Sequence, residues 1–307
     1  MQSLKQYDVL GLGIAAVDEL IYVDQFPPPN DKTPVRRRER QCGGLTMTAL
    51  VAAARLGARC AYGARLGDDD LSQMVRHTLT QEGIDTTHIV SVPEARPVVS
   101  TIIVGSNGTR NIFPFHAAID GADPEQPAEA VIRSTRVLFV DQVGIPGQIR
   151  AAKIARAAGI PVVSDVERED LTGFDQLLAL VDHVISSEDF AARFTGHTNP
   201  ESMLNGLWSD TRALVAITCG DQGCWFKTSR DGAPQHQAAF PVTVIDTTGC
   251  GDVFHGAYAA ALAKDVSAAE RICFASAAAA LKAQQRGGQA GAPTLAQVQA
   301  FLYRFTY

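Results

Sequence analysis

The stretch "VIDTTGCGDVFHGAYAAALA", residues 244–263, joins a glycine-flanked acid to an alanine-rich helical pattern. The pattern predicts a helix over 252–263. The amides of Gly249, Cys250 and Gly251 precede it, where a strand-derived loop is expected to become the helix. Their N–H groups can point together at an anion, helped by the helix dipole. Asp252 follows them, and a carboxylate there can accept a proton from a substrate hydroxyl. The stretch therefore suits phosphoryl transfer.

Two other features bear on this interpretation of the stretch. Aspartate at a helix start is common as a cap, so Asp252 has a purely structural alternative. The preceding Asp246-Thr247-Thr248 offers a carboxylate, hydroxyls and loop carbonyls, which suit a hard cation. The sequence has no Gly-Lys-Ser/Thr, so the loop is not a Walker loop.

Short apolar runs alternate with longer amphipathic stretches along the chain, which predicts an α/β fold with a largely parallel sheet. The predicted strands are 7–11, 60–65, 137–141, 161–165, 183–185, 214–218 and 224–228. The predicted helices are 46–56, 71–82, 147–158, 188–194, 200–208, 252–263, 268–284 and 295–305.

Two segments, 18–41 and 97–115, lack helical periodicity. The first contains the alternating "ELIYVDQF", and the second has the pattern of a hairpin turning at Asn107-Gly108. We expect them to pair as a small separate sheet, formed by about 15–41 and 97–115. A sheet placed over the active edge of the main sheet would act as a lid.

Composition excludes several classes of function. The 307 residues are 46% hydrophobic and 20% charged, as in an ordinary soluble domain, and a net charge of −6 gives no field that attracts nucleic acid or anionic lipid. The basic cluster 36–40 is expected to be a solvated strand edge. The six cysteines show no CxxC pair, and the N-terminal stretch resembles neither a signal peptide nor a membrane span. We expect a cytoplasmic protein with free thiols and no membrane or nucleic-acid partner.

Two further glycine motifs precede possible ligand sites. Gly11-x-Gly13-x-x-Ala16 matches a variant of the dinucleotide fingerprint, but an alternating segment follows instead of a helix, which favours a bend into a lid strand near Asp18. Gly43-Gly44 lies directly before a predicted helix. It is either an ordinary turn or a place where substrate hydroxyls reach main-chain amides.

Four segments together resemble the ribokinase-like, or PfkB, family of carbohydrate kinases. "DTTGCGD" resembles its C-terminal signature, "GGLTMTALVAAARLGA" its N-terminal signature, "RLGDDDLSQMVRHTLTQEGIDT" the stretch after its second strand, and "TCGDQGCWF" its segment near the nucleotide. The resemblance covers essentially the whole chain in the right order. It implies one domain over 1–307, a three-layer α/β/α architecture with a small β lid, and dimerisation through that lid. The implied activity is transfer of the γ-phosphoryl of ATP to a primary hydroxyl of a sugar, with Mg²⁺ and, in many members, K⁺.

The resemblance also implies roles for individual residues. Asp252 takes the position of the catalytic base, with Gly249, Cys250 and Gly251 as the anion hole. The implied sugar-binding residues are Asp18, Lys32, Gly43, Gly44, Thr48, Arg110 and Asp252. The implied nucleotide-binding residues are Ser187, Thr218, Gly220 and Gly223. The implied monovalent-cation site comprises Asp246, Thr248, Lys282, Gln285, Gly287 and Gly291, and Asp165 and Glu188 are implied for Mg²⁺.

Some positions depart from the family pattern. Thr48 stands where many members have a sugar-binding asparagine, and the NxxE element appears as 187–190, without its final acid. Several segments resemble the sulfofructose-kinase-like branch more than ribokinase itself, and Lys32 would match a substrate-facing lysine of that branch. However, no arginine follows "VLFVDQVG" where that branch uses one. The sugar stays open between ribose, a ketose such as fructose, and an acidic sugar. The alternatives are a nucleoside kinase of the same superfamily and a non-catalytic sugar or nucleotide sensor.

Overall fold

The apolar runs form an eight-stranded central sheet in the computed structural model, which describes residues 5–106 and 109–305. Its strands, numbered in chain order with those below, are β1 (Tyr7–Leu12), β4 (Cys60–Tyr62), β9 (Thr135–Val140), β10 (Val162–Asp165), β11 (His183–Ser187), β12 (Leu214–Thr218), β13 (Cys224–Lys227) and β14 (Gln235–Gln237). Their order is β14-β13-β12-β11-β10-β9-β1-β4, and only β13 and β14 pair antiparallel with their neighbours. The predicted mostly parallel sheet is confirmed.

Helices cover both faces of this sheet because its strands bury side chains on both sides. On β9, Val137 and Phe139 belong to one core cluster, while Leu138 and Val140 belong to the other. The first cluster is closed by α1 (Leu45–Arg55), α2 (Asp70–Gln81), α8 (Cys250–Leu262), α9 (Ala268–Ala283) and α10 (Leu295–Tyr303). The second is closed by α3 (Glu129–Arg133), α4 (Ile145–Ala157), α5 (Phe174–Leu178), α6 (Glu188–Thr195) and α7 (Pro200–Leu207). The architecture is three-layered.

A smaller sheet lies apart from the central one, as expected. It contains β2 (Ala16–Val23), β3 (Arg37–Gly43), β7 (Val98–Gly105) and β8 (Arg110–Phe115) in the order β3-β2-β7-β8. The predicted hairpin corresponds to β7 and β8, and its turn at Asn107-Gly108 lies outside the described residues. A two-stranded ladder of β5 (Arg65–Leu66) and β6 (Val90–Ser91) completes the strands described.

The basic cluster of the sequence lies on and just before β3, where its charges are neutralised within the small sheet. Arg36 pairs with Asp24 at 2.6 Å, and Arg38 and Arg40 both pair with Glu19 on the neighbouring strand β2. These exposed pairs contribute little to stability. Because of these pairs, however, the arginines do not form an unpaired positive surface.

The structure departs from the sequence-based prediction around the decisive stretch. Helix α8 begins at Cys250, two residues before the predicted start, and the apolar run ahead of it forms no strand. Val244 and Ile245 are instead exposed. Over the described residues no helix is both long and apolar enough to cross a membrane, and all six cysteines are free thiols.

Candidate active site

Several predicted site residues lie at one edge of the central sheet, together with Asp141, which was not predicted. Asp141 directly follows β9, and Asp165, Ser187 and Thr218 are the last residues of β10, β11 and β12. These strands are parallel, so their carboxyl ends meet at the same edge. In open α/β sheets this edge is where ligands bind.

The N-terminus of α8 is free to receive an anion. Gly249 precedes the helix with a φ of 75°, a left-handed conformation that favours glycine. The amide of Cys250 donates to the Thr247 carbonyl at 3.2 Å, whereas within 5–106 and 109–305 the amides of Gly251 and Asp252 find no acceptor. A Cβ built on Gly251 would meet nothing within 4 Å. The space beside Gly251 is therefore open.

Asp252 lies in the first turn of α8 and does not cap it, since the cap residue is Gly249 and no side-chain cap bond is present. The carboxyl is half-buried. Burial first, and then the nearby carboxylates of Asp165 and Glu167, raise the pKa of Asp252 well above its usual value. A carboxylate with a raised pKa is a better acceptor for the proton of a hydroxyl.

A buried histidine fixes this first turn against the sheet. The ring of His255 places Nδ1 2.8 Å from the carbonyl oxygen of Gly251 and Nε2 3.1 Å from that of Ile185 on β11. Nδ1 also lies 3.3 Å from Oδ2 of the buried Asp165. Burial, followed by the charge of Glu167, raises the pKa of Asp165 well above normal. Sequence reasoning missed both His255 and Glu167.

The predicted sugar-binding residues Asp18, Gly43 and Gly44 are brought together where β2, β3 and α1 meet. A Cβ on Gly43 would lie 2.3 Å from Oδ2 of Asp18, so the glycine makes room for that carboxylate. Gly44 caps α1 with a φ of 94°, and its Cβ would lie 2.7 Å from the Ile14 carbonyl. Burial raises the pKa of Asp18 to about 6, against the effect of a hydrogen bond from Ser100.

Asp141 organises the bend behind this group, and no sequence motif indicates its role. Its Oδ2 accepts hydrogen bonds from the Ile14 amide and the Thr46 hydroxyl, both at 2.7 Å, and its Oδ1 accepts one from the Val143 amide at 2.7 Å. Burial raises the pKa of Asp141 to about 6. The carboxyl ties the end of β1 to the start of α1. Residues 13–15 lead into β2, so the dinucleotide fingerprint is not followed by a helix.

Thr48 lies on α1, one turn beyond Gly44, and is buried. Its hydroxyl accepts a hydrogen bond from the carboxamide of Gln289 at 3.3 Å. Arg55 holds the backbone of that loop, donating to the Gln289 carbonyl at 2.7 Å. The structure thus supplies an amide beside Thr48 from a loop distant in sequence.

Two positively charged side chains, those of Lys32 and Arg110, were also predicted to bind the sugar. Lys32 is exposed in the turn between β2 and β3, and over the described chain its ammonium makes no hydrogen bond or ion pair. Arg110 begins β8, and its guanidinium donates to the Thr247 hydroxyl at 3.2 Å. The small sheet therefore contacts the loop ahead of α8, beside the free amides.

A largely apolar cleft of about 550 Å³ opens next to α8. Three predicted nucleotide-binding residues line it, namely Thr218, Gly220 and Gly223, and Cys250 and Gly251 line it as well. Gly223 has a φ of 88°, and its Cβ would lie 2.1 Å from the Gln237 carbonyl. Ser187 is not part of the lining; its hydroxyl caps α6 by accepting from the Phe190 amide at 3.2 Å.

Residues 8–295 match the pfkB family of carbohydrate kinases. The chain belongs to this family. It is 30% identical over 300 residues to a ribokinase of Staphylococcus aureus (strain COL), covering 94% of this chain and 98% of the relative. The crystal structure of a putative ribokinase from Agrobacterium tumefaciens superposes with a TM-score of 0.89 at 28% identity, over 97% and 98% of the two chains. An Arabidopsis thaliana ribokinase complexed with ribose and ATP shares the fold, with a TM-score of 0.84 at 22% identity over 96% and 98%. The predicted family and fold are confirmed.

The two halves of the predicted monovalent-cation site of this pfkB chain also meet. The carboxylate of Asp246 accepts hydrogen bonds from the amides of Thr248 at 2.8 Å and Gly287 at 2.9 Å. Although burial raises it, these bonds keep the pKa of Asp246 below its usual value. Lys282 lies between the halves and donates to the carbonyls of Asp246 and Gln285. Gly291 lies against its aliphatic stem.

The two carboxylates predicted for Mg²⁺, those of Asp165 and Glu188, do not form a ready-made cage. In the described parts of the chain, no three His, Cys, Asp or Glu side chains are grouped to hold a metal. Asp165 is buried beside His255, and Glu188 is exposed in the first turn of α6. Mg²⁺ that arrives with a nucleotide keeps several waters and needs only one or two protein carboxylates, so this arrangement fits such an ion.

Proposed function

We propose that the protein transfers the γ-phosphoryl group of ATP to a primary hydroxyl of a monosaccharide. The position of α8 carries this proposal. In its first turn Cys250 and Gly251 line the apolar cleft, and Asp252 lies near enough to Asp18 for their charges to interact. Anion-binding amides and a base thus lie between a nucleotide-sized cleft and the sugar-binding residues.

The reaction follows from this arrangement. Asp252 accepts the proton of the sugar hydroxyl while the oxygen of that hydroxyl attacks the γ-phosphorus. The bond between this phosphorus and the β,γ-bridging oxygen breaks, and ADP is released. The free amides of Gly251 and Asp252, with the dipole of α8, stabilise the charge on the transferring group. Mg²⁺ would neutralise phosphate charge, with Asp165 and Glu188 as the candidates to hold it. Catalysis rests on positioning and electrostatics.

The charges around the site favour an uncharged sugar. Asp18 and Asp252 are both acidic, and the basic residues of β3 are already paired with acids of the small sheet. Lys32 is exposed, and Arg110 is directed to the phosphoryl side of the site. Ribose or a ketose such as fructose therefore suits the site better than an acidic sugar, and the similarity to a ribokinase supports the same choice.

A coupled assay for ADP release tests this function. D-ribose, D-fructose, D-gluconate, adenosine, inosine and cytidine are each supplied with Mg-ATP, with a reaction lacking acceptor as the blank. We expect turnover with a neutral sugar. Turnover with nucleosides alone would identify a nucleoside kinase instead, and sugar binding by calorimetry without any ADP release would identify a sensor.

We further propose that the protein forms a homodimer through the small sheet. Its edge strand β8 exposes Ile112, Phe113 and Phe115, whose exposed fractions are 50%, 53% and 70%. Large apolar side chains grouped on a surface are typical of interaction sites. Light scattering should give a molar mass of twice the chain mass for the wild-type protein. The Phe113→Glu variant should give the mass of a single chain. A wild-type monomer would contradict the proposal.

A further inference from the structure

Lys282 is a fully buried lysine in the last turn of α9. Its Nζ donates hydrogen bonds to the carbonyl oxygens of Asp246 at 2.8 Å and Gln285 at 3.1 Å. Lysine is almost never fully buried unless its charge is paired or hydrogen-bonded. The two carbonyls and the neighbouring carboxylate of Asp246 provide that compensation.

The acceptors of Lys282 are the groups that a monovalent metal ion would use at this place. They belong to the two segments, 246–248 and 285–291, that were predicted to form the cation site. An ammonium group has three N–H donors and no lone pair, so the side chain of Lys282 cannot be a ligand of a metal ion. Its side chain instead presents a single positive charge to the carbonyls, as K⁺ would.

The surrounding space fits the lysine. A Cβ on Gly291 would lie 2.7 Å from Cδ of Lys282, so the absence of a side chain at position 291 leaves room for the lysine stem. A second cation bound to the same carbonyls would also be repelled by the ammonium at short range. The residues present therefore do not fit K⁺ alongside Lys282.

The charge lies close to the reacting groups. Lys282 lies near enough to Asp252 in the first turn of α8 for their charges to interact, and Asp246 is three residues before Gly249 in the chain. A positive charge at this position supports the loop that holds the transferring phosphoryl group. We propose that the ammonium of Lys282 permanently occupies the monovalent-cation position, so that turnover is independent of K⁺. The inference rests on the proposed kinase activity.

The first test compares wild-type turnover in KCl and in tetramethylammonium chloride at equal ionic strength. The acceptor is the sugar that gives turnover in the ADP-release assay. We expect the same kcat in both salts. Lys282→Met keeps an apolar chain but removes the charge, and it should lower kcat about tenfold to hundredfold with no recovery in K⁺. Lys264→Met, at an exposed position after α8, is the matched control and should behave as wild type.

The second test uses Lys282→Gly, which opens the space that the side chain fills. K⁺, NH₄⁺ or methylammonium should restore kcat to this variant. K⁺ should also raise its Tm, because an ion that binds only the folded state stabilises it, while the Tm of wild type should not respond. The Tm comparison requires no turnover, so it separates this inference from the proposed activity.

Three results would overturn the inference. They are activation of the wild-type protein by K⁺ over tetramethylammonium, a K⁺-dependent rise in wild-type Tm, and full K⁺-independent kcat in Lys282→Met. If the wild-type protein turned over no acceptor, the proposed function would fail, while an unresponsive wild-type Tm with a K⁺-responsive Lys282→Gly would still support occupation of the site by the ammonium.

Discussion

Replacing Gly43 by alanine should weaken sugar binding while leaving the fold intact. The added Cβ would lie 2.3 Å from Oδ2 of Asp18 and 3.2 Å from its Cγ, closer than such contacts normally occur. Gly43 has no positive φ, so the alanine backbone is unstrained. The atom in the way is the end of a flexible side chain, which can rotate aside. A rotamer shift costs about 0.5–1.5 kcal/mol, which bounds the expected loss of stability.

The functional cost is larger because the displaced carboxylate no longer reaches the sugar. A hydrogen bond to a charged group contributes about 1.5–3 kcal/mol, and at 1.4 kcal/mol per factor of ten this is about a 10- to 150-fold loss in kcat/KM for the sugar. The KM for ATP should not change, because Gly43 does not line the apolar cleft.

The measurement is steady-state kinetics with sugar and ATP varied in turn, together with thermal unfolding. Asp18→Ala is the matched variant. Its kcat/KM for the sugar should fall by a similar factor. Adding Gly43→Ala to Asp18→Ala should not lower kcat/KM further, since both changes remove the same interaction. A folded Gly43→Ala protein with unchanged kcat/KM for the sugar would refute this assignment of Asp18.

Three other predictions follow from the hydrogen bonds of Asp18, Gln289 and Asp141. The kcat/KM for the sugar should rise with pH, because the proposed roles require both Asp18 and Asp252 to be ionised; burial raises the pKa of Asp18 to about 6 and, with the neighbouring carboxylates, raises that of Asp252. Ser100→Ala removes a bond that favours the ionised form of Asp18 and should move the Asp18 step of the pH–rate profile to higher pH. Gln289→Ala should raise the sugar KM by about fivefold or more in steady-state kinetics, since it removes the partner of the Thr48 hydroxyl, and an unchanged KM would contradict this role. Asp141→Ala should lower the free energy of unfolding by about 3 kcal/mol in urea titrations, because it leaves buried donors without acceptors, and a loss under about 1 kcal/mol would argue against the network.

The order of the longer strands and helices was predictable from the sequence because hydrophobic periodicity depends on neighbouring residues, whereas the short elements α3, α5 and β14 were not predicted. The exact start of α8 and the conformation of the segment before it were harder to predict. The start of α8 was placed at Asp252, whereas the left-handed Gly249 allows the helix to begin at Cys250. The apolar run before it looked like part of a strand, yet Val244 and Ile245 are exposed beside the cleft. A strand requires a partner, and the sequence does not show whether one is present.

The predicted site residues were those within short motifs, and the missed ones depend on distant partners. Asp141 bonds to groups 127 and 95 residues away in the chain, and Gln289 reaches a hydroxyl 241 residues away. The role of Lys282 illustrates the same limit. Its position indicated the cation site, but only its contacts with two carbonyls show that it donates there instead of coordinating a metal.

The kcat of Asp252→Asn tests the central claim most directly. The amide keeps the size of the side chain but cannot take the proton, so kcat should fall by about 10²- to 10⁴-fold. Because burial and neighbouring carboxylates raise the pKa of Asp252, its ionised form costs stability, and the variant should unfold at a Tm no lower than wild type. Turnover close to wild type in this folded variant would contradict the assignment of Asp252 as the base.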